Sequence, residues 1–290
     1  MRARRLSSTF ALALSLLTSG AAWAAPEAAP DSNAPWLADR GSGMWTSIFG
    51  TYVNAHELLF MPFVEGYYDN DTEYKPAELG YGLEEDFRGK FRAVENQVFL
   101  AYGLNDAFSV ELEAALYTAA RLDKAPEDPS SMPARLEQSG FGDWQMELNW
   151  RVLKEAAARP EVFALVEVDP PSNVNNPLIG TSDWEAKLGV GAIRALRWGT
   201  VGGRVGMIYS AEDGSFDNGE YAIEYLKRVS PGWSLYGGIE GEQDEVELIG
   251  EAQWHFSPSA TLRLNLAYGL TDKATDWGPD VGVVFRFPRR

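Results

Sequence analysis

Residues 246–256 read VELIGEAQWHF, and their alternation decides the fold class. Val246, Leu248, Gly250, Ala252, Trp254 and Phe256 take one parity; Glu247, Ile249, Glu251, Gln253 and His255 take the other. Successive side chains of an extended strand point to opposite faces, so the segment has one apolar face and one largely polar face. The same period governs 108–117, where Phe108, Val110, Leu112, Ala114 and Leu116 alternate with Ser109, Glu111, Glu113, Ala115 and Tyr117. It returns at 144–151, with Trp144, Met146, Leu148 and Trp150 against Gln145, Glu147, Asn149 and Arg151, and at 262–269, where Arg263 and Asn265 stand on the polar side.

A soluble sandwich also alternates, so three further features choose between it and a barrel. The segments run about 9–12 residues, the length a tilted strand needs to cross a bilayer, whereas soluble strands average about 5–6. Their polar parity carries charge in mid-strand, which a wet or polar lumen accepts. Aromatic residues gather at segment ends, at Tyr67, Tyr68, Tyr102, Tyr117, Trp150, Trp184, Trp233 and Trp277, as an interfacial girdle requires. The pattern therefore predicts an all-β, antiparallel transmembrane β-barrel.

Outward from these segments, strands are expected at 57–68, 91–103, 108–118, 139–151, 161–169, 184–195, 199–209, 219–229, 233–242, 246–256, 260–270 and 277–287. The connections 69–90, 119–138 and 170–183 are long and polar. Those at 104–107, 196–198, 230–232 and 257–259 are tight and carry Asn, Pro, Gly or Ser. Membrane barrels have short periplasmic turns, longer outer loops and an even strand number, so about twelve strands are expected, within a range of ten to fourteen. Residues 44–53 could add one more, which would break the parity.

The N-terminus points to export. Arg2, Arg4 and Arg5 precede a mostly apolar stretch over 8–17, and Ala22-Trp23-Ala24 sets small residues where a signal peptidase reads. Residues 1–24 are thus expected to be a cleaved signal peptide, 25–43 a flexible Pro- and Ala-rich leader, and 44–290 one barrel domain. No segment reaches the 18 or so apolar residues of a spanning helix. Without its three signal arginines the chain carries (25 − 3) − 42 = −20 charges, a balance that excludes a nucleic-acid footprint. Cysteine is absent, which removes disulfides, thiolate metal sites and thiol nucleophiles together.

No catalytic constellation emerges, and neither a metal nor a cofactor is expected. The chain has two histidines, His56 and His255. By parity His255 faces the lumen with Glu251 and Gln253, and His56 precedes the first strand as a solvated residue. An outer-membrane hydrolase would need Ser and His together on the lipid face, or His among acids at the outer rim. No nucleophile elbow, H-E-x-x-H, phosphate-binding or dinucleotide fingerprint occurs. Asp69, Asp71 and Glu73 form an oxygen-rich outer-loop group that could bridge a divalent ion to lipopolysaccharide, but the glycine and terminal Glu of a calcium loop are missing.

The lumen parity is more informative. It collects Glu65, Glu95, Glu111, Glu113, Glu147, Glu167, Glu185, Glu220, Glu224, Glu240, Glu247, Glu251 and Asp280 against Arg151, Lys187, Arg204, Arg263 and Arg286. The pore-lining candidates are Glu111, Glu113, Glu147, Arg151, Glu167, Arg204, Glu247, Glu251 and Arg263. Two readings stay open: an acidic pore that favours cations, or a salt-bridge network that closes a narrow lumen. The functional expectation is a diffusion channel for small solutes, with a closed structural or surface-interaction barrel as the alternative. Expected partners are outer-membrane lipid, lipopolysaccharide and the barrel-assembly machinery, with the barrel a monomer.

Several stretches resemble an outer-membrane transporter family associated with phenol-degradation pathways. They are 73–92 (EYKPAELGYGLEEDFRGKFR), 101–106 (AYGLND), 178–191 (LIGTSDWEAKLGVG) and 275–285 (TDWGPDVGVVF). The resemblance implies a barrel and transport of small organic compounds, and it carries no functional residue onto this chain. The stripe Val281, Val283, Phe285 and Phe287 also resembles the C-terminal assembly signal of outer-membrane barrels, although Pro288, Arg289 and Arg290 follow it.

Overall fold

Residues 58–64 (LLFMPFV) are apolar at every position, so both faces of this strand must meet apolar surroundings. In the computed structural model of the chain one face meets the lipid side and the other meets a plug inside the barrel. The structure describes residues 41, 43–48, 50–211 and 214–288. The expected signal peptide (1–24) and nearly all of the leader lie outside the described residues.

Two short strands, Met44–Trp45 (β1) and Tyr52–Val53 (β2), pair as a hairpin. The wall follows as Glu57–Tyr74 (β3), Phe87–Gly103 (β4), Phe108–Asp123 (β5), Arg135–Gly140 (β6), Trp144–Leu153 (β7), Glu161–Asp169 (β8), Glu185–Leu196 (β9), Gly199–Ser210 (β10), Ser215–Ser230 (β11), Trp233–Glu242 (β12), Glu245–Ser257 (β13), Ala260–Gly269 (β14) and Trp277–Pro288 (β15). Each wall strand pairs antiparallel with its chain neighbours, and β15 pairs β3 to close the ring. β6 and β7 are two halves of one wall strand, both paired to β5, so the barrel has twelve strands. Closure leaves no edge along the twelve-strand ring, the condition for a sheet to stand in lipid, and only the β6 half, paired to β5 alone, presents an edge at the outer rim.

The outward parity carries the apolar belt. Val64, Val110, Leu148, Val190, Ile223, Leu248, Leu264 and Val281 are all more than a third exposed. Aromatic rings pair at both rims. Phe108–Trp150 and Trp233–Trp254 lie at the short-turn end, with centroids 6.2 and 6.1 Å apart, and Tyr68–Trp277 lies at the other, at 5.3 Å. Such a large apolar exterior is the surface of a protein embedded in lipid. By the general orientation of these barrels, the short-turn end faces the periplasm.

Three expectations are corrected. Residues 44–53 add no wall strand; they fold as the β1–β2 hairpin within the lumen. Tyr117 leaves the polar parity of 108–117 and faces outward, as its place in the girdle requires, 49% exposed, because Leu116 is an extra residue in the β4–β5 ladder: Tyr117 pairs Asn96 whereas Ala115 pairs Gln97. That bulge shifts the inward set from Ser109, Glu111 and Glu113 to Thr118, Ala120 and Leu122. Tyr67 is the third case, since it packs inward against Ala93, Ala120 and Ile179 and leaves the girdle to Tyr68.

Candidate functional site: the plugged acidic lumen

The hairpin has two apolar faces. Met44 and Val53 pack against Leu59, Met61 and Phe63 of β3, Phe99 and Ala101 of β4, and Val284 of β15. Trp45 and Tyr52 pack against Phe163, Ile193, Leu226 and Tyr236 on β8, β9, β11 and β12. The plug therefore spans the lumen from wall to wall in its periplasmic half. Burying these side chains is favourable by about 1.5–3 kcal/mol each, which explains why 58–64 lacks a polar parity.

Polar contacts fix the plug's register. Ser47 donates from its backbone N and its Oγ to Glu111 Oε2, at 2.9 and 2.6 Å. Arg151 donates to the Gly43 carbonyl and, at 2.7 Å, to that of Asp106, and it faces Glu161 at 2.8 Å. Arg286 donates to the Tyr52 carbonyl at 2.7 Å and lies 3.4 Å from Glu57. Where the chain leaves the plug, His56 takes φ 62° and its N–H donates to the Gly103 carbonyl at 2.7 Å. A Cβ at Gly103 would lie 2.0 Å from the Asn54 carbonyl oxygen, so the close approach there requires glycine.

All nine pore-lining candidates lie on the inward parity. Glu111, Glu147, Arg151, Glu167, Glu251 and Arg263 are buried, and Glu113, Arg204 and Glu247 are half-buried. The structure divides them. Glu111 and Arg151 hold the plug. Asn149 Nδ2 joins Glu111 to Glu147, at 2.8 and 2.5 Å. Arg263 binds Glu251 through paired contacts, its Nε 2.9 Å from both oxygens. Arg204 serves three glutamates, with Glu224 at 2.7 Å, Glu240 at 3.2 Å and Glu220 in contact. Lys187 takes Glu167 at 2.9 Å and Asp169 at 4.0 Å. Glu113 and Glu247, together with Glu65, Glu95 and Asp280, make no ion pair among the described residues. Glu65 and Glu95 instead accept from Gln97 Nε2 at 3.1 and 2.8 Å.

Two cavities flank the hairpin. One, of about 240 Å³, lies between Trp45, Phe163 and Leu165 on one side and Glu113, Glu147, Glu167 and Lys187 on the other. The second, of about 380 Å³, opens at the periplasmic end and is lined by Arg228, His255 and Arg286. His255 occupies the lumen as expected, its Nε2 2.8 Å from Ser234 Oγ and its Nδ1 3.0 Å from Thr261 Oγ1. His56 is exposed.

At the outer mouth the loops fold inward. Tyr74, Phe87, Leu122, Ala125 and Met132 form a core with Leu79, Tyr81, Leu83 and Leu178 packed against it. Asp128 anchors this cap: it accepts from Tyr74 Oη at 2.9 Å and from the Ser130 N–H at 2.7 Å. Burial alone would push its carboxyl up, but those donors and the Lys124 ammonium at 3.8 Å hold it below the usual range. Asp69, Asp71 and Glu73, expected in an outer loop, lie on the outer end of β3 and do not converge on an ion. Arg88 takes Asp71 at 3.1 Å and Glu73 at 3.6 Å, Lys273 takes Glu73 at 3.7 Å, and no metal-holding acid group occurs among the described residues. The sequence missed the plug residues Met44, Trp45, Ser47, Tyr52 and Val53; the doubly apolar 58–64 was the available sign.

No family model matches the chain, and no curated protein matches it. Among solved structures it is similar to an outer membrane channel from Pseudomonas putida F1, with a TM-score of 0.57 and 17% identity over 81% of this chain and 97% of that one. The NanC porin is more distant, with a TM-score of 0.48 and 12% identity over 78% and 98%. The KdgM porin in complex with oligogalacturonate stands at 0.47 and 5% over 80% and 99%. The chain has the fold of bacterial outer-membrane β-barrels.

Proposed function

We propose that this protein is an outer-membrane diffusion channel for small solutes, with a preference for cations and for organic solutes that carry a positive end. The observation that carries the reading is the lumen charge: Glu65, Glu95, Glu113, Glu247 and Asp280 face inward without a cation partner, while every inward Arg and Lys named above is engaged. Surplus carboxylates concentrate cations and repel anions. The cavity between Trp45, Phe163 and the glutamates adds an apolar wall on which the carbon part of such a solute could rest. A precursor cleaved after Ala24 and inserted as a monomer by the barrel-assembly machinery fits this role. The solved neighbour's description as an outer membrane channel supports the reading by analogy of fold alone.

The hairpin supports a second reading, a barrel permanently closed, because it reaches from one wall to the other. Planar-bilayer recording of the refolded protein separates the two. Stepwise currents whose reversal potential under a KCl gradient has the cation sign are expected, and deletion of residues 44–53 should enlarge each step. A bilayer that stays sealed with both the full protein and the deletion variant, or an anion-signed potential, would overturn the channel reading.

A further inference from the structure

On a chain of net charge −17, cations collect on one outward patch at the outer rim. Lys90 and Arg92 of β4 and Arg121 of β5 share the outward parity there, and Arg92 pairs directly with Arg121 across the β4–β5 ladder. Like charges directly opposite on one face destabilise a sheet unless an anion joins them. The protein supplies little to do so. Arg92 donates to the Asp69 and Phe91 carbonyls at 2.6 Å and to Asn70 Oδ1 at 2.5 Å, all neutral acceptors. Arg121 has Asp123 at 3.6 Å, and that carboxylate is already held by Arg135 at 2.6 Å. Lys90 makes no ion pair among the described residues. Glu137 stands across from Arg121 at the far edge, 64% exposed, with Arg135 3.9 Å away.

The arginines flank a groove of about 600 Å³ in the outer wall. Its floor is made by the outward side chains of Ala119 and of Val94, its partner across the ladder, and Tyr68 and Tyr117 stand at its sides. The Leu116 bulge creates this floor, because it turns Tyr117 and Ala119 outward. Its height is fixed by register. Arg92 pairs with Tyr68, whose ring it covers at 5.6 Å and which packs at a tilt against Trp277 of the outer girdle. Along β4 it lies ten residues from Tyr102 at the opposite rim, about 25 Å at about 3.3 Å per residue and about 40° tilt. That matches the height of a lipid belt, so the arginines stand at the headgroups of the outer leaflet.

We infer that the β4–β6 groove binds a phosphorylated lipid of the outer leaflet, lipopolysaccharide, with a lipid A phosphate between Arg92 and Arg121 and an acyl chain along Ala119 and Val94. Guanidinium forks match phosphate oxygens two at a time, and the apolar floor below them suits a chain that a soluble anion lacks.

The test uses the full mature chain refolded into phosphatidylcholine vesicles that contain lipid A, its dephosphorylated form, or neither. Unfolding is followed by the loss of the heat-modifiable gel band, and bound lipid by native mass spectrometry. Lipid A should raise the melting point, and the dephosphorylated form should not. Arg92→Gln with Arg121→Gln should lower lipid A occupancy about ten-fold, whereas Lys154→Gln with Arg197→Gln at the periplasmic end should leave it unchanged. Arg92→Lys with Arg121→Lys keeps the charge and should retain part of the binding. Equal stabilisation by the dephosphorylated lipid would overturn the assignment in the wild type alone, whatever the variants do. Full stabilisation by inorganic phosphate, or unchanged occupancy in the glutamine variant, would overturn it as well.

Discussion

At the residue scale the lumen shows how a barrel carries charge in its interior. The Arg263 and Glu251 side chains are 5% and 0% exposed, and each satisfies the other. Removing one partner strands a buried charge, so Glu251→Ala should destabilise by about 3–5 kcal/mol, whereas Glu251→Leu with Arg263→Met should recover most of that loss. Urea unfolding in vesicles, read by tryptophan fluorescence, would measure both. Asp128 gives a pH dependence with a definite sign. Its folded pKa lies below the unfolded value, so its contribution is present above about pH 4 and lost as pH falls through the lower folded value. Limited proteolysis of the loop 124–134 should therefore rise at acidic pH. Asp128→Asn should be cleaved more readily at pH 7 and show a flatter response to acid.

At the scale of elements, the hairpin and the bulge carry the two surprises. Strands on the lipid side were legible because alternation over nine or more residues has one explanation in a chain with an aromatic girdle. The β1–β2 hairpin was not legible, because two-residue strands leave no period to read. Gly103→Val should push the Asn54 carbonyl away and loosen the plug, which noisier and larger conductance steps would report. The bulge escaped for a related reason: Ala114 and Ala115 are both small and apolar, so the flip of parity at Leu116 leaves no mark in the pattern. Deleting Leu116 should regularise the ladder with Tyr117 still outward and Thr118 still inward, so the heat-modifiable band should persist on a gel, whereas inserting one residue after Tyr117 should turn Thr118 toward lipid and abolish it.

For the whole molecule, the closed ring accounts for the placement and the lumen charge for the expected selectivity. Glu65→Gln, Glu113→Gln and Glu247→Gln together should move the reversal potential toward zero without altering the folded band. Added salt should weaken the preference of the unmodified channel, since about 1 M ions screen charge beyond about 3 Å. The sequence alone determined a barrel of about twelve strands, the lipid-facing parity outside the Leu116 bulge and the acidic character of the interior, because each follows from a two-residue period that recurs from strand to strand. Tertiary structure alone decided which carboxylates are paired, that the outer loops fold inward, and that residues 44–53 fill the periplasmic half. Those outcomes depend on residues brought together from distant strands, such as Ser47 with Glu111 and Arg204 with Glu240, which no local pattern encodes.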